Sequence, residues 1–291
     1  MKRWTIGIVG LLAALATACS ATPGATTSEN PTGSASDTLN VVLVDDGIGA
    51  LEPPEGGTTS CPGCSRWPTQ FADHVAEVTG IDTTVTSLRA GGVPEARELV
   101  SGDTDARAAL KDASVVVVAV GAFNSLPSPD TGIGCPYGAT QEPTYAAWAR
   151  KTTNPTCLAE MIKTYGLLYD SVFSEIKKLR ADKPTVYVAL NVLDYNIEVD
   201  GPGSLLGQVE GAERAWAKRF AVAANDRWNA MLAERAKAAG FTVVDVYHAV
   251  NGPQGMDPGT QFSAGGGHPN QAGHDLIAGL INQVDLSALT S

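Results

Sequence analysis

The sequence predicts a three-layer α/β/α domain, doubly wound around a five-stranded parallel sheet. Two observations carry this. From residue 39 onward, short β-branched runs alternate with amphipathic helical stretches. The strand runs are also near-continuously apolar, which suits parallel strands buried on both faces better than the alternating pattern of a half-exposed sheet.

Taken in order, the strand runs are 40–45 (NVVLVD), 82–87 (DTTVTS), 114–120 (SVVVVAV), 185–191 (TVYVALN) and 242–247 (TVVDVY). Helical stretches lie near 66–79, 94–111, 157–181, 209–239 and 270–283. Their apolar residues recur at three- and four-residue spacing, as in Leu158, Met161, Ile162, Tyr165 and Leu168. Function in such a sheet belongs to the loops after the strands. Those loops read "DDGIGALEPPEGGTTSCPGC", "LRAGGVPEA", "GAFNSLPSPDTG" and, after the fifth strand, a long loop ending "FSAGGGHPNQAGH". No internal repeat is present in the sequence.

Composition fixes the class. With 44% hydrophobic and 18% charged residues, the 291-residue chain is an ordinary globular protein. Its 31 acidic and 20 basic residues give a net charge of −11, and loss of Lys2 and Arg3 with a leader leaves −13. That balance excludes nucleic acid and anionic membrane surfaces as expected partners.

The N-terminus reads as an export signal. Lys2 and Arg3 precede the apolar run "WTIGIVGLLAALATA", and small residues lead into Cys19. A cysteine in that place resembles a bacterial lipobox, which implies lipidation at Cys19 and a protein working outside the cytoplasm, held to the membrane only by its anchor. Residues 20–38 are Ser, Thr, Ala, Gly and Pro with almost no apolar bulk, a flexible tether spanning roughly 25 Å. The domain organisation is therefore signal 1–19, tether 20–38 and one domain over 39–291. Cys61, Cys64, Cys135 and Cys157 remain, an even number in an oxidising compartment, and two disulfides are the simplest reading. Three pairings are possible; the most local, Cys61–Cys64 with Cys135–Cys157, is preferred.

The four loops together resemble the SGNH, or GDSL-type, hydrolase family, whose fold is flavodoxin-like. "VVLVDDGIGA" matches its first block, "AGGV" its second, "GAFNSLP" its third, and Gly265 through Pro269 its final block. "SCPGC", "VFSEIKKLRADKPT" and "DVYHAVNGPQG" further resemble exported actinobacterial members. The resemblance implies acyl transfer to water. A first-block serine attacks an ester carbonyl, the final-block histidine takes its proton, and an aspartate three residues earlier orients that histidine. Backbone N–H groups and a third-block asparagine hold the oxyanion.

The match is uneven. His268 stands at the base position, Asn124 at the oxyanion asparagine and Gly92 at the donor glycine, with Gly91 as its alternative. The nucleophile position is Gly47 and the triad aspartate position is Gly265. The third block also departs at Ala122 and Ser125. Asp46 is the family's own aspartate, a structural hydrogen-bonding residue. Asp45 replaces a family glycine. It reads as a solvated loop charge, with a role beside His268 as the sharper alternative.

The expectation is thus a family member weak or inactive as an esterase, with two alternatives. One is a non-catalytic protein binding an acyl ester or glycan. The other is water-mediated hydrolysis by His268 with Asp45. No cofactor and no metal site is expected. His74, His248 and His274 read as surface or core residues, Trp148, Trp216 and Trp228 as core, and Trp67 as an aromatic wall of a pocket.

Overall fold

The computed structural model describes residues 38–47, 61–121, 155–193, 211–265 and 268–290. All five expected strands are present: β1 Leu39–Asp45, β2 Thr83–Arg89, β3 Val115–Ala119, β4 Val186–Leu190 and β5 Thr242–Val244. They form one parallel sheet in the order β2-β1-β3-β4-β5. The chain winds from β1 to one side for β2 and to the other for β3. The switch point, and the crevice such sheets use for ligands, therefore lies between the carboxyl ends of β1 and β3.

The helices are α1 Trp67–Thr79, α2 Val93–Gly102, α3 Thr104–Asp112, α4 Pro155–Leu179, α5 Gly211–Ala238, α6 Val246–Asn251 and α7 Gln271–Ile281. They divide between the faces of the sheet because successive strand side chains point to opposite sides. Val42, Val44, Val116 and Val118 face a core shared with α2 through α5, including Tyr169, Phe173 and Trp228. Val41, Leu43, Val115 and Val117 face a second core with α1, α6 and α7, including Trp67, Phe71 and Ile277. Each fully buried aliphatic or aromatic side chain stabilises the fold by roughly 1.5–3 kcal/mol, which is why β1 and β3 tolerate almost nothing polar before their ends.

Several expected boundaries move, each for a local reason. The helix expected over 94–111 is two helices, because the Asp103 side chain accepts from Ala106 N–H at 2.8 Å and starts a new one. The fifth strand stops at Val244, since Asp245 caps α6 by accepting from His248 N–H at 3.1 Å. β2 runs on to Arg89 and is not buried on both faces. It is an edge strand, and its residues alternate between partly covered and exposed. Trp67 is fully buried in the α1 core and lines no pocket.

Candidate active site

Asp45 ends β1 with its carboxylate turned back on the chain. Its Oδ1 accepts from Gly47 N–H at 2.6 Å, its Oδ2 from the Ser87 hydroxyl at 2.8 Å, and its carbonyl from Ala90 N–H at 2.8 Å. Asp45 is 0% exposed, so the reading of a solvated loop charge is corrected. A carboxylate survives such burial only where donors replace its water, and here a turn amide and a neighbouring strand's hydroxyl do so. The result closes the turn and fixes Gly47 at φ 118, a region that favours glycine. The position where the family carries its nucleophile thus has no side chain and a backbone that a serine would hold only under strain.

Asp46 works across the switch point. Its Oδ2 accepts from Gly121 N–H at 2.6 Å, tying the β1 turn to the β3 turn. Gly121 sits at φ 128 in close quarters, and a Cβ there would meet the Tyr169 hydroxyl oxygen at 2.5 Å. That hydroxyl donates to the Val120 carbonyl at 2.6 Å, and burial pushes the phenol far above its ordinary range, so it stays a donor. Asp46 is therefore a cross-link between the two turns.

His268 reaches the elbow from a different part of the chain. Strand β6, Ser263–Gly265, pairs antiparallel with β7, His268–Pro269, and Gly265 lies opposite His268 in that hairpin. The histidine is half-buried. Burial is the main cause holding its pKa below the ordinary value; a hydrogen bond to the Gly47 backbone opposes this, and the Arg89 and Arg66 charges reinforce it. At neutral pH His268 is an uncharged imidazole against the backbone of the vacant nucleophile position. That is the protonation state a general base needs. Gly265, paired with it, offers no carboxylate to orient it.

Around this pair the second-block glycine, Gly92, is buried and precedes α2, with its carbonyl accepting from Ala96 N–H at 2.9 Å. Asn124, with Ala122 and Ser125, lies outside the described residues, as do Cys19 and Cys135. Cys61 and Cys64 are bonded to each other, with Cα atoms 5.5 Å apart. The Cys135–Cys157 pairing lies outside what the structure describes. Among the described residues no group of three or more His, Cys, Asp or Glu is placed to hold a metal ion.

Three participants were missed in the sequence: Ser87, Arg66 and Arg89. Arg66 precedes α1. Its guanidinium donates to the Cys61 carbonyl at 3.3 Å and lies 3.1 Å from His274 Nε2. His274 is 1% exposed, and its pKa is pushed down to about 4 by burial first and the Arg66 charge second. Neither arginine belongs to a periodic pattern or motif. The only signal available was their isolation in an acidic chain, one directly after "CPGC" and one at a strand end.

A parallel sheet whose carboxyl-edge loops set a histidine beside the first-strand elbow defines a doubly wound α/β/α protein with its candidate site at the switch point. The chain belongs to the GDSL-like lipase/acylhydrolase family, whose model matches residues 55–276, and ester hydrolysis is the family's reaction. That span begins beyond the β1 elbow. The elbow's place in the site rests on the sheet register and the contact with His268. No curated protein matches the sequence. Among solved structures, a lipase from a goat rumen metagenome is 10% identical with a TM-score of 0.55, over 84% of this chain and 95% of that one. An acetylxylan esterase from Geobacillus stearothermophilus is 12% identical with a TM-score of 0.50, over 85% and 95%. At these identities the likeness is one of fold.

Proposed function

We propose that this protein keeps the acylhydrolase scaffold but no longer runs covalent ester hydrolysis, and acts instead by binding an acylated small molecule or glycan. One observation carries the reading: His268 faces the backbone of Gly47, where the family's serine would stand, and its hairpin partner is Gly265. Without a hydroxyl there is no acyl-enzyme for the histidine to form or resolve. Serine hydrolases stripped of triad members retain only about 10³–10⁴-fold acceleration, from binding and oxyanion stabilisation. Water-mediated hydrolysis by His268 with Asp45 is less well supported, because Gly47 N–H and the Ser87 hydroxyl already occupy the Asp45 oxygens.

The proposal includes location. The leader over 1–19, lipidation at Cys19 and the tether over 20–38 would place the domain on the outer face of the membrane. No helix among the described residues is long and apolar enough to cross one. Labelling by palmitate in the native host, lost in Cys19→Ala, is the expected result.

The activity reading is tested on the purified protein with a fluorophosphonate probe and p-nitrophenyl acetate. The expected outcome is no covalent adduct and no burst of p-nitrophenol. An adduct mapped to any serine near His268, or a burst stoichiometric with protein, would overturn it.

A further inference from the structure

Lysine is unevenly placed in this chain. The sequence holds nine lysines, and five of them, Lys111, Lys177, Lys178, Lys183 and Lys237, are exposed at the edge where the strands begin. Lys111 lies in the last turn of α3, Lys177 and Lys178 in that of α4, and Lys237 in that of α5. Lys183 stands in the short loop before β4. Contacts join these positions into one surface. The Lys111 carbonyl accepts from Lys183 Nζ at 2.9 Å and from the buried Arg180 guanidinium. Lys177 Nζ lies 4.0 Å from the centre of the Tyr187 ring. A Cβ at Gly240, three residues beyond Lys237, would meet that same Nζ at 3.8 Å. The start of β1 adjoins the surface too, with Asn40 Nδ2 donating to the Asp112 carbonyl at 3.3 Å.

Cations favour helix C-termini, and that preference alone would distribute lysines over the helix ends of both layers. The last turns of α1 and α7, on the other face of the sheet, hold no basic residue. The preference does not account for Lys183 either, which lies outside any helix. Nearby carboxylates leave the surface positive. Asp112 and Asp182 stand among the five lysines, an excess of three positive charges (5 − 2). Glu175, one turn back on α4, is shared by Arg107 at 2.7 Å and Lys178 at 3.4 Å, and Glu234 lies one turn back on α5. A chain of net charge −11 thus carries a positive rim.

We propose that this rim docks on an anionic phospholipid surface, with Lys111, Lys177, Lys178, Lys183 and Lys237 toward the headgroup phosphates. The net charge argues against such a partner for the chain as a whole. Attraction to a charged surface falls off within about 10 Å, however, so the nearest charges decide. The place where the chain enters the domain selects a bilayer as the occupant. β1 begins at Leu39 on this rim, and the location proposed above brings a membrane to that point. Each lysine near an anionic leaflet strengthens binding about fivefold, so an excess of three gives roughly a hundredfold. That is weak for a free protein and ample for a tethered one, whose encounter with the surface is intramolecular. The tether alone leaves the domain free to turn, and the lysines bias it rim-down, with the Gly47 elbow at the opposite edge. The inference rests on the proposed location and adds an orientation to it.

Lysine acetylation read by peptide mass spectrometry tests it on the purified full chain. The protein is mixed with excess phosphatidylcholine vesicles, either pure or containing about one-third phosphatidylglycerol. At low salt the five rim lysines should react at least about threefold more slowly on the anionic vesicles. Lys163, exposed in the first half of α4, should be unchanged. Salt at about 1 M, where the screening length is about 3 Å, should abolish the difference. Lys178→Glu with Lys183→Glu, both at exposed positions, should remove the protection of Lys111, Lys177 and Lys237. Equal rates on the two vesicles, equal slowing of Lys163, or protection that survives the salt or the double variant would each overturn the proposal. Equal protection by soluble polyphosphate would assign the rim to a dissolved polyanion and overturn the lipid occupant. A Cys19 that takes up no palmitate would instead overturn the anchor. The acetylation contrast is read against lipid charge, so the two failures are distinguishable.

Discussion

His274 makes the stability of this domain acid-sensitive within a defined window. The unfolded chain protonates this imidazole near the ordinary value of about 6.5, whereas the folded protein holds its pKa near about 4. The cause is burial beside a guanidinium that already occupies the Arg66–His274 contact. Above pH 6.5 both states carry neutral His274 and its contribution is fully present. As pH falls from 6.5 towards 4, the unfolded chain takes up a proton that the folded one refuses, and stability declines. At about 1.4 kcal/mol per pKa unit, the loss approaches about 3 kcal/mol below pH 4. The assay is urea unfolding at pH 7.5, 6, 5 and 4.5 for the wild type and for His274→Gln, which keeps an acceptor for Arg66 and removes the titration. The wild type should lose about 2.5 kcal/mol more than the variant between the two extremes. Parallel curves for the two proteins would refute the reasoning, because the remaining carboxylates and histidines are common to both.

Two further outcomes follow from the elbow itself. Gly121→Ala places a Cβ at 2.5 Å from the Tyr169 hydroxyl at a positive φ, so a loss of about 3 kcal/mol or more is expected, and an unshifted thermal melt would mean that the turn is free to move. Gly47→Ser and Gly265→Asp together should raise kcat/KM on p-nitrophenyl acetate by more than the product of the two single effects, because triad members act as a unit. The φ of 118 at Gly47 should cost the serine variants about 1–3 kcal/mol in urea unfolding. Strictly multiplicative rate effects would show that His268 is not placed to serve the new hydroxyl.

What could be read in the sequence was what repeats or matches. The runs NVVLVD and SVVVVAV announced β1 and β3 because interior parallel strands bury both faces and leave a continuous apolar signature. Boundaries at the sheet edge were not legible. Arg89 and Asp245 end or extend their elements through contacts with neighbours, and local pattern does not encode those. The same holds within the site. Gly47, His268 and Gly265 could be located because they fall in recognisable blocks. The burial of Asp45 depends on Ser87, a strand neighbour 42 positions away, and only the β1–β2 register brings the two together. Arg66 and Arg89 were invisible for the same reason, being single residues whose importance comes from what folding sets beside them.

The first strand of the chain is also an inner strand of the sheet, flanked by β2 and β3. Its entry at Leu39 and the elbow at Gly47 therefore mark opposite rims of the domain. Across the seven residues of β1 that separation is about 23 Å. A tether joining at Leu39, as proposed above, would attach at the rim away from the elbow, and its flexible Ser, Thr, Gly and Pro residues would leave the domain free to turn.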